Sequence, residues 1–221
     1  MLLPESTLFF LCDVQTKFKP AIHGYQHVVA TAGKMITLAT LLEIPVICTT
    51  QNAKALGPTD PAIDLQSLGP LLLGTFDKTL FSMVVPEVQD ILASRQVSSI
   101  VIFGIESHVC VLQTVLSLLS LGKYTVYIVA DGVSSCNSFE VPIALDRMRT
   151  EGAKIGTSES IAFQLMRDAS SPKFKAFSKF IKEVKESTKV SGTALLQGRV
   201  SPSPSRDAEV ASGGVVIKSA M

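Results

Sequence analysis

Three residues of this chain have the chemical types of a nucleophile, a proton carrier and a fixed cation: Cys110, Asp13 and Lys78. Cys110 follows a short β-branched run at 100–103 and a Gly, and it opens an uncharged helical run that lasts to Gly122. A thiol where a strand hands over to a helix faces N–H groups without intrahelical partners and the positive end of the helix dipole, and both favour the thiolate. Asp13 closes the apolar run 7–12, which reads as a buried strand, so it lies at the edge where α/β sheets place their ligands. Lys78, within Gly74-Thr75-Phe76-Asp77-Lys78-Thr79-Leu80-Phe81-Ser82, stands between the two in the chain. Each also has a plain structural reading. A free Cys on an apolar helix belongs to a core, an Asp after a strand starts a turn or caps a helix, and a Lys is solvated.

Positioning these residues requires alternating strands and helices. Val28, Val29, Ala32, Met35, Ile36, Ala39 and Leu42 recur at intervals of three and four, which predicts an amphipathic helix over 25–43. Residues 45–50 form the next strand, and 51–68 a long loop with the turn signals Gly57-Pro58-Thr59-Asp60-Pro61. Further helices are expected at 85–94, 110–121, 141–151 and 158–167, the last with Ser158 as N-cap, and further strands at 98–103, 124–130 and 154–156. Asp131, at the end of one such strand, reads as a structural acid holding the loop 132–137. Such alternation implies a mainly parallel central sheet covered on both faces, a three-layer α-β-α sandwich. Residues 172–189 form a last helix whose apolar face holds Phe174, Phe177, Ile181 and Val184. Its lysines outnumber Glu183 and Glu186, but no Arg interleaves with the aromatics, so they read as a solvated face rather than a nucleic-acid patch. The domain is expected to span 1–189, and the Ser-, Gly- and Pro-rich stretch 190–221 to be a disordered tail.

A formal net charge of +1 over 221 residues gives no global reason to expect a nucleic-acid or membrane partner. Hydrophobic residues make up 47%, yet the longest uncharged run, 107–122, contains Ser, His, Gln and Thr and falls short of the ~20 residues a spanning helix needs. The opening Met1-Leu2-Leu3-Pro4-Glu5 has neither the basic region nor the apolar stretch of a secretory signal. Cys12, Cys48, Cys110 and Cys136 include no Cys-x-x-Cys pair, which points to reduced thiols and a cytoplasmic location.

Gly104-Ile105-Glu106-Ser107-His108-Val109-Cys110-Val111, with Thr114 after it, resembles the nucleophile segment of the isochorismatase-like hydrolases. That cysteine-hydrolase superfamily includes nicotinamidases and carbamoyl-amide hydrolases. Asp13-Val14-Gln15 with Phe18 is similar to its first motif, and Lys78 with Phe81 and Ser82 to its lysine motif, in the family's order. The resemblance runs from about residue 8 to about residue 180, and 56–59 and 78–83 look closest to the eukaryotic isochorismatase-domain proteins. It implies a Cys110-Asp13-Lys78 triad, an oxyanion held by the backbone N–H groups of Glu106 and Cys110, and a cis peptide between Ile105 and Glu106. It implies a pocket lined by Gln15, Phe18 and Phe81, although Gln15 also reads as a satisfied polar residue and Phe18 as core. The side chains of Glu106 and His108, at positions the family varies, either tune specificity or do nothing. The presence of the Cys favours a small amide or carbamoyl substrate over a vinyl ether. Nicotinamidases carry metal-binding His residues near 51–68, where this chain has none, so neither a metal nor a cofactor is expected. A homo-oligomer, dimer or tetramer, is expected from the family habit and the apolar composition. Two other classes stay open, a non-catalytic binding or scaffold member and a ribonuclease, a name some eukaryotic members carry.

Overall fold

Apolar residues fill both faces of β1 (Thr7–Cys12) and β4 (Ser99–Ile105), and every residue of the two strands is buried. Strands of that kind need cover on both sides, and they sit at the centre of a parallel sheet. The computed structural model describes residues 2–196. With β2 (Val46–Gln51), β3 (Leu72–Lys78), β5 (Thr125–Ser134) and β6 (Lys154–Gly156) they form one six-stranded sheet in the order β3-β2-β1-β4-β5-β6. All five pairings are parallel.

Alternate residues of each strand enter different cores, as the pleat requires. Phe9, Leu11, Val101 and Phe103 pack under α1 (Tyr25–Leu42), α6 (Ser158–Met166) and α7 (Phe174–Leu196). Leu8, Phe10, Cys12, Ile100 and Ile102 pack under α3 (Pro86–Ser94), α4 (Leu112–Ser120) and α5 (Glu140–Thr150). The three-layer sandwich expected from the alternation is the fold observed. The remaining helix, α2 (Ala53–Leu56), is a single turn inside the long loop after β2.

Several elements differ in detail. β3 has no counterpart in the periodicity, because it is an edge strand of partly exposed residues with a Gly inside it. β5 continues past Asp131 to Ser134, because the register against β4 slips between Ile102 and Gly104 and pairing resumes at Val133. Helix α6 is capped by Thr157, not Ser158: Thr157 and Ser160 exchange side-chain and backbone bonds in a capping box. Ser158 instead gives its backbone N–H, at 2.6 Å, and its hydroxyl to Asp131, which ties β5 to the start of α6. Asp131 is therefore structural, but it anchors a helix rather than the loop 132–137. Helix α7 runs seven residues beyond the expected boundary at 189, with Ser191 and Leu195 buried. The rest of the expected tail, 197–221, lies outside the described residues. Among the described residues, no helix is long and apolar enough to cross a membrane.

Candidate active site

From β1 the chain builds outward through β2 and β3, then returns to lay β4, β5 and β6 on the other side. The order reverses between β1 and β4, and the crevice above their carboxyl ends is where open α/β sheets bind ligands. Asp13 follows β1 there, with the left-handed φ of 50° that Asp tolerates better than most residues. Lys78 ends β3, and Cys110 lies in a π turn, Ser107–Val111, between β4 and α4.

Asp13 and Lys78 meet. Lys78 Nζ donates to Asp13 Oδ2 at 2.7 Å, and the two side chains are 0% and 1% exposed respectively. The ammonium also donates to Gln51 Oε1 at 2.7 Å and to the Phe81 carbonyl at 3.1 Å. The other carboxylate oxygen of Asp13 accepts from Thr49 Oγ1 at 2.8 Å. Cys12 Sγ donates to Asp13 Oδ2 at 3.6 Å. Burial, then the neighbouring Cys110 and the Asp13 charge, push the Cys12 thiol well above the ordinary range. Burial pulls the Lys78 ammonium down, but Cys12, Asp13 and Cys110 together outweigh it and hold its pKa above the usual lysine value. The centre is thus a fixed cation facing one carboxylate and two thiols.

The turn that carries Cys110 is braced from several sides. The Glu106 carbonyl accepts from the N–H groups of Val109 and Val111, which flank Cys110. Thr114 Oγ1 donates to the Cys110 carbonyl at 2.6 Å and accepts from Met83 N at 2.9 Å, linking α4 to the loop that follows Lys78. The Ile105–Glu106 peptide is cis. Gly104, just before it, pairs with Cys12 so closely that a Cβ there would stand 2.1 Å from the Cys12 carbonyl oxygen.

The pocket residues fare differently. Gln15 is buried, and its amide is taken up by backbone: Nε2 donates to the carbonyls of Gln51 and Gly57, and Oε1 accepts from Gln51 N. It pins the loop after β2 against the end of β1. Phe18 packs on the α1 side of the sheet, whereas Cys110 belongs to the core on the other side. Phe81 contributes its carbonyl to Lys78 while its ring is about half exposed. Cys12, Thr49 and Gln51 complete the centre and carry no motif signal of their own. Ser107, next to the cis peptide, has a buried hydroxyl without a hydrogen-bond partner among the described residues.

The chain belongs to the isochorismatase family, whose domain profile matches residues 7–160. It is 44% identical over 183 residues to isochorismatase domain-containing protein 2A of Mus musculus, covering 82% of this chain and 85% of the mouse protein. It is equally 44% identical to a secreted isochorismatase effector of Phytophthora sojae, over 82% of this chain and 87% of the effector. Among solved structures it is similar to the MAR1 ribonuclease from Caenorhabditis elegans, at 37% identity and a TM-score of 0.74, over 82% of this chain and 92% of that one. A hydrolase-like family member is what these likenesses support.

Proposed function

We propose that the chain hydrolyses the C–N bond of a small amide or carbamoyl compound through a thioester on Cys110. The observation that carries this reading is the buried Asp13–Lys78 pair beside the Cys110 thiol. A thiolate needs a nearby cation and a place for its proton, and this arrangement supplies both. Cys110 sulfur adds to the carbonyl carbon after passing its proton to Asp13. The backbone N–H groups of Cys110 and Glu106 hold the oxyanion, and Asp13 returns the proton to the leaving nitrogen as the C–N bond breaks. Asp13 then takes a proton from the water that cleaves the thioester, and the thiol is restored. Lys78 stays charged throughout, which keeps the carboxylate and the thiolate compatible at close range.

The test is a panel of small primary amides and carbamates, followed by intact-mass analysis. The wild type is expected to release ammonia from at least one of them and to show a Cys110 acyl adduct when quenched during turnover, whereas Asp13→Asn, which cannot take the thiol proton, and Cys110→Ala should do neither. Turnover that survives Cys110→Ala would sink the reading. A second reading, RNA hydrolysis, is favoured by the name of the C. elegans relative. RNA cleavage by the purified chain that is lost in Asp13→Asn, with every amide inert, would put it first. A third, binding without catalysis, draws on the near closure of Cys110, 6% exposed, and on a surface cleft lined by Leu42, Leu165, Met166 and Lys173 that uses none of the centre's residues.

We further propose a homo-oligomer, supported by Phe139 and Ile143, one turn apart around the start of α5 and 61% and 62% exposed. The four free thiols support a reducing compartment such as the cytoplasm.

A further inference from the structure

Glu106 and His108 flank Ser107 in the turn after β4, and Cys136 lies in the loop after β5, the neighbouring strand. A carboxylate oxygen, a ring nitrogen and the thiol sulfur of these three residues lie within 4.8 Å of one another. We propose that they form a Zn2+ site on the rim of the candidate active site, with a fourth position left to water. The set is separate from the His-rich one that residues 51–68 lack, and it does not depend on the reading of Cys110 as a nucleophile.

The ligand chemistry selects the ion. Thiolate, imidazole and carboxylate together suit zinc, whereas Ca2+ and Mg2+ demand oxygen. Zinc bonds of about 2.0–2.3 Å at tetrahedral angles put ligand atoms roughly 3.3–3.6 Å apart, so the cluster needs to close by about 1 Å. Cys136 is exposed and Glu106 and His108 only partly buried, which leaves the side chains room to do so.

Two bonds already orient the other ligands, as second-layer contacts do in metal sites. Cys136 N donates to Glu106 Oε2 at 2.7 Å, leaving that carboxylate's second oxygen for a metal, and His108 Nδ1 lies 2.9 Å from Ser135 Oγ. The loop that brings the thiol therefore also sets the carboxylate and the imidazole. On binding, the Cys136 thiol gives its proton to solvent as the Zn–S bond forms, a water leaves the ion for each ligand gained, and no electrons move. Because Glu106 and His108 share a turn with Cys110, occupancy would stiffen the segment that carries the nucleophile.

The experiment is a Co2+ titration of chelator-treated full-length protein, read by thiolate-to-cobalt charge-transfer absorption, with native mass spectrometry counting Zn2+. One equivalent is expected. The charge-transfer band should vanish in Cys136→Ser, affinity should fall at least about tenfold in His108→Ala and in Glu106→Gln, and Cys110→Ser should bind as the wild type does. Cys136 is exposed, so its replacement leaves folding intact. No charge-transfer band at saturating Co2+, or a band kept in Cys136→Ser and lost in Cys110→Ser, would overturn the proposal.

Discussion

Lys78 Nζ sits 2.7 Å from Asp13 Oδ2, with both side chains shut off from water. Removing one partner of such a pair leaves the other as an uncompensated buried charge, at a cost of about 3–5 kcal/mol. Lys78→Met is therefore expected to lose about that much in urea unfolding. Lys78→Met combined with Asp13→Asn should lose less than the sum of the two single changes, by about 1–3 kcal/mol. Strict additivity would mean that the pair is not coupled.

The four thiols should separate by reactivity in the native protein. Cys12 and Cys48 are fully buried and are expected to resist alkylation until the chain unfolds, whereas Cys136 is exposed and Cys110 has a small opening. Peptide-resolved labelling should find Cys110 and Cys136 modified first. Lys78→Met should slow Cys110 by about tenfold or more and leave Cys136 alone, because the lost cation acts only locally. Equal slowing at both would point to a global change instead.

Stability should fall in alkali. Burial raises the Cys48 thiol from 9.0 to about 11, and Cys12 is also raised well above 9.0. Between pH 9 and pH 11 the unfolded chain sheds protons that the folded chain keeps, so the unfolding free energy drops as pH rises; below pH 9 the contribution is complete. Lys78, raised above 10.5, adds a loss of the same sign beyond that value. Cys48→Ala should lower stability overall but remove ~2 kcal/mol of the decline across the window. Denaturant midpoints from neutral pH to pH 11 measure both, and an unchanged slope in the variant would refute the assignment.

Gly104 and Gly33 should respond oppositely to the same substitution. Gly104 has φ +123°, and a Cβ would stand 2.1 Å from the Cys12 carbonyl oxygen, so Gly104→Ala is expected to cost more than ~4 kcal/mol or to prevent folding. Gly33 lies within α1 with nothing inside 4 Å of a built Cβ, so Gly33→Ala should stabilise by about 0.5–1 kcal/mol. Thermal unfolding compares the two directly.

What the sequence makes legible follows from how local the signal is. β1 and β4 announce themselves as unbroken apolar runs, and Asp13 and Cys110 stand at or just past their ends, so type and position agree. Thr49 and Gln51 look like ordinary strand residues, and only the pairing of Gln51 with Lys78 across β2 and β3 makes one of them a ligand of the ammonium. Cys12 reads as core and is core, yet the same burial sets it beside Cys110. The end of α7 was hidden because Ser191, Gly192 and Thr193 look like linker, while the burial of Leu195 against Gly24 is a long-range contact. Glu106, His108 and Cys136 are brought together by adjacent strands, which no local spacing reveals.

The strand order also divides the assembly of the centre between two separate pairings. β1, β2 and β3 are neighbours in the sheet, and their pairing alone brings Asp13 to Lys78 across 65 residues of chain. The Cys110 thiol reaches those charges by a different route, through the pairing of β4 along β1 with Cys12 against Gly104. The complete cluster of cation, carboxylate and thiols therefore exists only where the middle of the sheet has closed, so an assembled centre is also a report that β1 and β4 have found each other.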